Sequence, residues 1–172
     1  MEIRETNKGD IDWIRKVFNE RWGGDFIVSG NQKLYGKDLS GFTVFEKDEM
    51  VGLLTYHIKN NKCEIVTLDS LRENMGIGTA LLVTMIKKSK KMGVSRLWLM
   101  TTNDNLNAMR FYQKRGFVFK KININAIQKS WNLKQSIPEK GYFGIPIRDE
   151  IELEYPLEIN KIKIWKKYIQ QN

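Results

Sequence analysis

The chain has 172 residues and carries 29 Lys and Arg against 20 Asp and Glu, a formal net charge of +9. Its length fits one domain, and a 41% hydrophobic, 11% aromatic composition excludes a disordered polyelectrolyte. The longest apolar runs, 51–54 and 80–83, exclude a membrane-spanning helix, which takes about 18 apolar residues, and a lone Cys63 and a lone His57 exclude an internal disulfide or a Cys/His zinc centre.

Met1 to Thr6 shows no basic segment followed by an apolar one, so no export signal is expected and a cytoplasmic location follows. Residues 2–6 predict a first strand. Asp10 is placed to cap a helix whose apolar residues Ile11, Ile14, Val17 and Phe18 recur at helical spacing. From Trp22 to Ser40 the chain is rich in Gly, Asn, Asp and Ser, which predicts an irregular connection with a helical turn and a capacity to bind something. Three apolar runs, 42–46, 50–58 and 63–68, are separated by short polar breaks and predict antiparallel hairpins. Cys63 and His57 fall in these runs and are expected to pack rather than react.

Residues 76–92 predict a helix, with Ile77, Leu81, Leu82, Met85 and Ile86 on one face, lysines at the negative end and Gly93 as the stop. A buried strand at 96–101, a helix at 106–114, a strand at 117–122, a helix within 123–135, a loop at 141–146 and a half-exposed strand at 147–155 follow.

Two segments carry chemistry. Leu68 through Leu82 places Gly76-Ile77-Gly78 between a strand and a helix, where glycines allow close backbone approach and the first helical amides point outward at an anion. This is neither a P-loop nor a dinucleotide fingerprint, because the Lys-Ser/Thr and the third Gly are missing. The second segment is Asn105-Leu106-Asn107-Ala108 through Phe111-Tyr112 and Gly116-Phe117. In this order, with a helix and a strand between them, the two segments resemble the GNAT superfamily of acyl-CoA-dependent N-acyltransferases. The likeness spans about residues 2–123 and extends toward Leu157. It departs at one place: Glu73 stands where the family has Gln or Arg, with Arg72 one position earlier.

The resemblance implies an α/β (α+β) fold: a central, mostly antiparallel mixed sheet of about seven strands flanked by helices and splayed at its fourth and fifth strands. Residues 1–157 would form this domain and 158–172 a basic C-terminal extension, which could be a solvated tail, a packed element or the arm of a homodimer. The resemblance also implies acetyl-CoA as cosubstrate and no metal. Backbone groups of Leu68, Asp69 and Ser70 would pair with its pantetheine arm, the loop Asn74, Met75, Gly76, Ile77, Gly78 and Thr79 would take its phosphates, and Asn107 would touch it or cap the helix, with Asn105 the alternative cap. Tyr112 is the expected general acid for the leaving thiolate and contacts the cofactor. Phe111 is expected in the core.

An amine of ordinary pKa must lose a proton before it attacks. Glu64 is the first candidate for that base, with Asp69 and Glu152 behind it. The acceptor, a primary amine of a small molecule or peptide, is expected between 22–35 and 131–155, where Trp13, Trp22, Tyr35, Trp131, Tyr142 and Phe143 could line a pocket. The acidic stretch 141–154 would suit a cationic amine or mark an exposed strand edge. Two other readings remain: an acyl-CoA sensor of the same fold without turnover, and a basic nucleic-acid-binding domain. The second lacks a recognition motif and has dispersed cations. No membrane partner is expected.

Overall fold

Three hairpins organise the first half of the chain in this computed structural model, which describes residues 1–72 and 74–157. Glu73 and the basic extension 158–172 lie outside the described residues. Strands β2 (Phe26–Ser29) and β3 (Gln32–Tyr35) are closed by Gly30 and Asn31. In the same way β4 (Ser40–Glu46) and β5 (Glu49–Lys59) are closed by Lys47 and Asp48, and β5 and β6 (Lys62–Ser70) by Asn60 and Asn61. All six linking residues have positive φ, between 48° and 64°. That pairing of left-handed residues twists a two-residue turn to match its strands, and Gly, Asn and Asp tolerate it best. The β2–β3 hairpin corrects the expectation of an irregular 22–40 connection. The turn signal Gly30-Asn31 was present, but it is flanked by runs of only four residues. The expected helical turn is there, a 3-10 turn at Gly36–Asp38.

The main sheet has seven strands in the order β1-β4-β5-β6-β7-β9-β8, with β1 at Glu2–Glu5, β7 at Arg96–Thr102, β8 at Val118–Asn123 and β9 at Glu150–Tyr155. Every neighbouring pair is antiparallel except β6 and β7, which run parallel. The expected architecture is therefore observed. Strand β9 lies between β7 and β8, with Leu153 fully buried, so the acidic C-terminal strand is an interior strand and not the half-exposed edge that its alternation suggests. Its charges are matched instead: Arg96 on β7 pairs with both Glu152 and Glu154.

Helices cover both faces. Helix α2 (Ile77–Met92) and α3 (Leu106–Gln113) pack on one face through Ile77, Leu81, Leu82, Met85, Met109 and Tyr112, against Leu54, Cys63, Ile65, Leu97 and Phe117. Helix α1 (Ile11–Trp22) covers the other with Ile14, Val17 and Phe18 against Leu39 and Leu53. Asp10 does not cap α1 with its side chain. Its carboxylate accepts from Arg4 at 2.7 and 2.8 Å and from the Asn7 amide, tying the β1 end to the helix entry. Helix α4 (Ile127–Leu133) is short and buries Ile127 and Ser130. No helix among the described residues is long and apolar enough to cross a membrane.

Two irregularities position the site. Strands β6 and β7 pair only over Lys62–Ile65 against Arg96–Leu99, so their C-terminal halves part and leave the β7-facing backbone of 66–70 without a strand partner. In addition, β6 carries one extra residue against β5: Tyr56 faces Ile65 and Thr55 faces Thr67, and Val66 is skipped. This β-bulge shifts the alternation of side chains along β6.

Candidate active site

At the open end of the β6–β7 gap, the chain turns from Ser70 into α2. Asn74 and Gly76 adopt left-handed backbone (φ 58° and 75°), which brings the chain round so that α2 begins facing the gap. The first helical hydrogen bond runs from the Ala80 amide to the Gly76 carbonyl at 2.9 Å. Among the described residues no side chain caps the helix, so the amides of Ile77, Gly78 and Thr79 are the donors of its first turn without a partner inside the helix. A side chain on Gly78 would press on Leu68 at 3.2 Å and on Phe111 at 3.4 Å; glycine there lets the helix start lie close to β6 and α3. Asn74, Met75 and Gly76 are exposed and Thr79 half-buried.

Arg72 does not contribute to this cradle. Its guanidinium is held by Glu46 and Glu49, both at 2.5 Å. A different cation stands beside the helix start: Arg115 donates to the Thr79 hydroxyl at 2.6 and 3.1 Å and to the Phe111 carbonyl at 2.8 Å, and lies 3.7 Å over the Phe111 ring. In the sequence Arg115 looks like an ordinary residue at a helix end, and no local pattern sets it apart.

Leu68, Asp69 and Ser70 form the β6 side of the gap. Across it, Tyr112 sits on α3 between Phe111 and Phe117, with ring centroids at 5.1 and 5.3 Å. Burial and the nearby Asp69 carboxylate push the Tyr112 phenol well above its ordinary value, so it keeps its proton at any physiological pH. Asn105 is the helix cap, accepting from the Ala108 amide at 3.1 Å. Asn107 is exposed and free of that duty. Phe111 is only partly buried, packed against the core.

On the α1 face, Glu64 is 9% exposed and its carboxylate accepts a short hydrogen bond from the Ser29 hydroxyl at the end of β2. Burial raises its pKa, and the negative charges of Glu150 and Glu152 add to the rise. The Ser29 hydrogen bond and Arg96 oppose it. Asp69 is equally buried and accepts from the Trp22 indole at 3.1 Å. Burial raises it to about 6, against the lowering effect of Trp22, Arg21 and Thr67. Glu152, the third candidate, is committed to Arg96.

A cavity of about 350 Å³ opens beside Glu64, bounded by Trp22, Ile27, Ser29, Val66, Met100, Thr101, Asn105, Ile127, Lys134 and Glu150 among others. Glu150 accepts from Ser130 at 3.4 Å, and burial raises its pKa. Lys134 is 7% exposed and donates to the carbonyls of Trp22 and Phe26, each at 2.5 Å. Of the six aromatic residues singled out in the sequence, only Trp22 lines this cavity. The Trp131 indole instead holds the Ile137 carbonyl at 3.0 Å, and Tyr142 and Phe143 are exposed. A second cavity of about 260 Å³, lined by His57, Lys59, Lys62, Arg96 and Trp98, shares only Ser29 and Glu64 with the first. Cys63 is buried under α2 with its thiol pushed up to about 11 by burial, the inert packing expected of it. No cluster of metal-ligating side chains occurs among the described residues.

The cavity residues that the sequence did not flag as a set, Ser29, Lys134 and Glu150, come from β2, the end of α4 and β9. No local motif links them.

A sequence model described as the acetyltransferase (GNAT) family matches residues 11–117, more than half of the chain. Among curated proteins, YdhI of Bacillus subtilis (strain 168) is 45% identical over 152 residues, covering 88% of this chain and 95% of the relative. YxbD of the same organism is 36% identical, covering 92% and 100%. Solved structures share the fold. An IAA acetyltransferase from Bacillus cereus ATCC 14579 superimposes with a TM-score of 0.68 at 21% identity, covering 90% of this chain and 97% of its own. A GNAT family acetyltransferase from Elizabethkingia anophelis with acetyl-CoA bound gives a TM-score of 0.65 at 20% identity, covering 90% and 96%.

Proposed function

Because the chain belongs to the acetyltransferase (GNAT) family, we propose that it moves an acetyl group from acetyl-CoA to a primary amine of a small molecule or peptide, by direct attack in a ternary complex. The observation that carries this reading is the β6–β7 gap. Unpaired strand backbone at 66–70 lies there with the start of α2 following it, and the Tyr112 phenol is close enough to the buried Asp69 carboxylate to feel its charge, while Glu64 lies just before the strands part and lines the neighbouring cavity.

The residues present fit the cosubstrate. Unpaired backbone at Leu68, Asp69 and Ser70 offers strand-like hydrogen bonds to an amide-bearing arm. The amides of Ile77, Gly78 and Thr79, with Met75 and Gly76 in the turn before them and Arg115 alongside, suit phosphates. Asn74 and Asn107 are exposed and free to hydrogen-bond a cosubstrate. Acetyl-CoA supplies an activated acetyl thioester.

Glu64 serves as the base. Desolvation raises its pKa above that of an ordinary glutamate, which makes it a stronger proton acceptor. The amine nitrogen attacks the thioester carbonyl, the new C–N bond forms and the C–S bond breaks. Tyr112 donates its phenolic proton to the departing sulfur, and the second proton that the nitrogen sheds as the amide forms restores the phenol. Burial, with the nearby Asp69 carboxylate, raises the phenol pKa and thereby keeps the phenolic proton in place before the reaction. A titration followed by thermal shift with acetyl-CoA, together with release of free thiol across an amine panel, tests the reading. The absence of both stabilisation and thiol release would remove it.

A further inference from the structure

The cavity beside Glu64 is electrically two-ended. Its titratable lining is two carboxyls, Glu64 and Glu150, and two cations, Lys134 and Arg21. The carboxyls are adjacent enough that Glu150 raises the Glu64 pKa. A buried pair of this kind favours a cation between them.

Strand β2 forms the wall between the two ends. Ser29, its last residue, holds Glu64, and Phe26, its first, gives its carbonyl to Lys134. Three residue steps at about 3.3 Å each put these ends on the order of 10 Å apart.

Lys134 has a charge without a matching anion. It is 7% exposed, and two of its three donors go to neutral carbonyls. Among the described residues no carboxylate lies within ion-pair distance of it; Asp25 only raises its pKa from farther off, against the lowering effect of burial. A buried ammonium with neutral partners carries a desolvation cost that an anion would offset. The lining also includes the apolar side chains Ile27, Val66, Met100 and Ile127.

Resting on the acetyltransferase reading, we infer that the acceptor is a zwitterion: an amino acid whose amine sits between Glu64 and Glu150 and whose carboxylate meets Lys134. Because Glu64 is held at the last residue of β2 and Lys134 at the first, a ligand that meets both carries its amine and its acid on a chain of several methylenes, longer than that of an α-amino acid. The balanced lining, two positive against two negative groups, disfavours a simple alkylamine, which would leave Lys134 unmatched.

The test compares 4-aminobutanoate with butylamine and butanoate, which each lack one charge, by calorimetric titration of the full chain. Initial rates of thiol release from acetyl-CoA are measured with the two amines. The zwitterion is expected to bind at least tenfold more tightly than either single-charge analogue. Lys134→Met is expected to erase its advantage over butylamine, and Lys134→Arg to retain most of it. Equal or weaker binding of 4-aminobutanoate in the wild-type chain, or no binding, overturns the inference without recourse to any variant. The two readings fail separately. Tight 4-aminobutanoate binding with no acetyl transfer sinks the proposed reaction and leaves the zwitterion site standing. Transfer to butylamine as efficient as to 4-aminobutanoate sinks the zwitterion and leaves the reaction.

Discussion

Glu64 and Asp69 are five residues apart on one strand and yet face the same side of the sheet. In a regular strand an odd separation puts two side chains on opposite faces. Here their partners on β5, His57 and Leu53, are four apart and share a face, and the skipped residue Val66 makes up the difference. One bulge thus turns both buried carboxylates toward α1, where Ser29 and Trp22 meet them. It also lies where β6 parts from β7.

Glu64→Gln keeps the shape and the hydrogen-bond acceptor for Ser29 but cannot take a proton. We expect kcat/KM to fall by about 10²-fold or more with acetyl-CoA affinity unchanged. A variant within twofold of wild type in steady-state rates removes Glu64 from the mechanism.

Ser29→Ala tests the tuning of that base. The Ser29 hydrogen bond favours the ionised carboxylate, so its loss raises the Glu64 pKa further. The acidic limb of the pH profile of kcat/KM, already displaced upward from an ordinary glutamate by burial, is expected to move to still higher pH. A limb that stays in place, or moves down, contradicts the assignment.

Tyr112→Phe keeps the ring packed between Phe111 and Phe117 and removes only the hydroxyl. Turnover is expected to drop by about 10²-fold, while the thermal midpoint changes little. Restored rates with a thioester whose leaving thiol is more acidic would identify the lost function as protonation of sulfur.

Asp69→Asn addresses stability. The folded-state pKa of about 6 lies above the ordinary value of 3.8, so the folded protein binds the extra proton between these values and loses stability as pH rises through them. At pH 8 the ionised, buried group costs about 3 kcal/mol, and the asparagine can still accept from Trp22. Denaturant melts should therefore show Asp69→Asn gaining on wild type between pH 4 and pH 7. A constant difference across that range refutes the shift.

Gly76→Ala probes the loop. With φ at 75°, a Cβ costs about 1 to 2 kcal/mol, although nothing lies within 4 Å to obstruct it. Relief of that strain would reorient the start of α2, and the expected result is a raised KM for acetyl-CoA with kcat nearly preserved.

Much of this protein could be read from residues close together in the chain. Helix α2 announces itself by its apolar stripe and the stop at Gly93, whose φ is 64°, and Gly76-Ile77-Gly78 marks the uncapped helix start, because backbone requirements are local. The pairing of that segment with Asn105 through Phe117 carried the family resemblance. The +9 charge is the feature behind the nucleic-acid-binding alternative. In the fold, however, Arg4, Arg72, Lys88, Arg96 and Arg148 are matched to carboxylates, and Arg115 stands beside the start of α2, bonded to the Thr79 hydroxyl. What tertiary structure alone decided was which side chains meet. The order of β9 inside β8 turned an apparent acidic edge into an interior strand. A one-residue bulge set the facing of Asp69, and Lys134 reached 108 positions back to Phe26. These outcomes depend on strand order, register and packing between distant segments, which are set by burial summed over the whole core and leave no trace in local spacing.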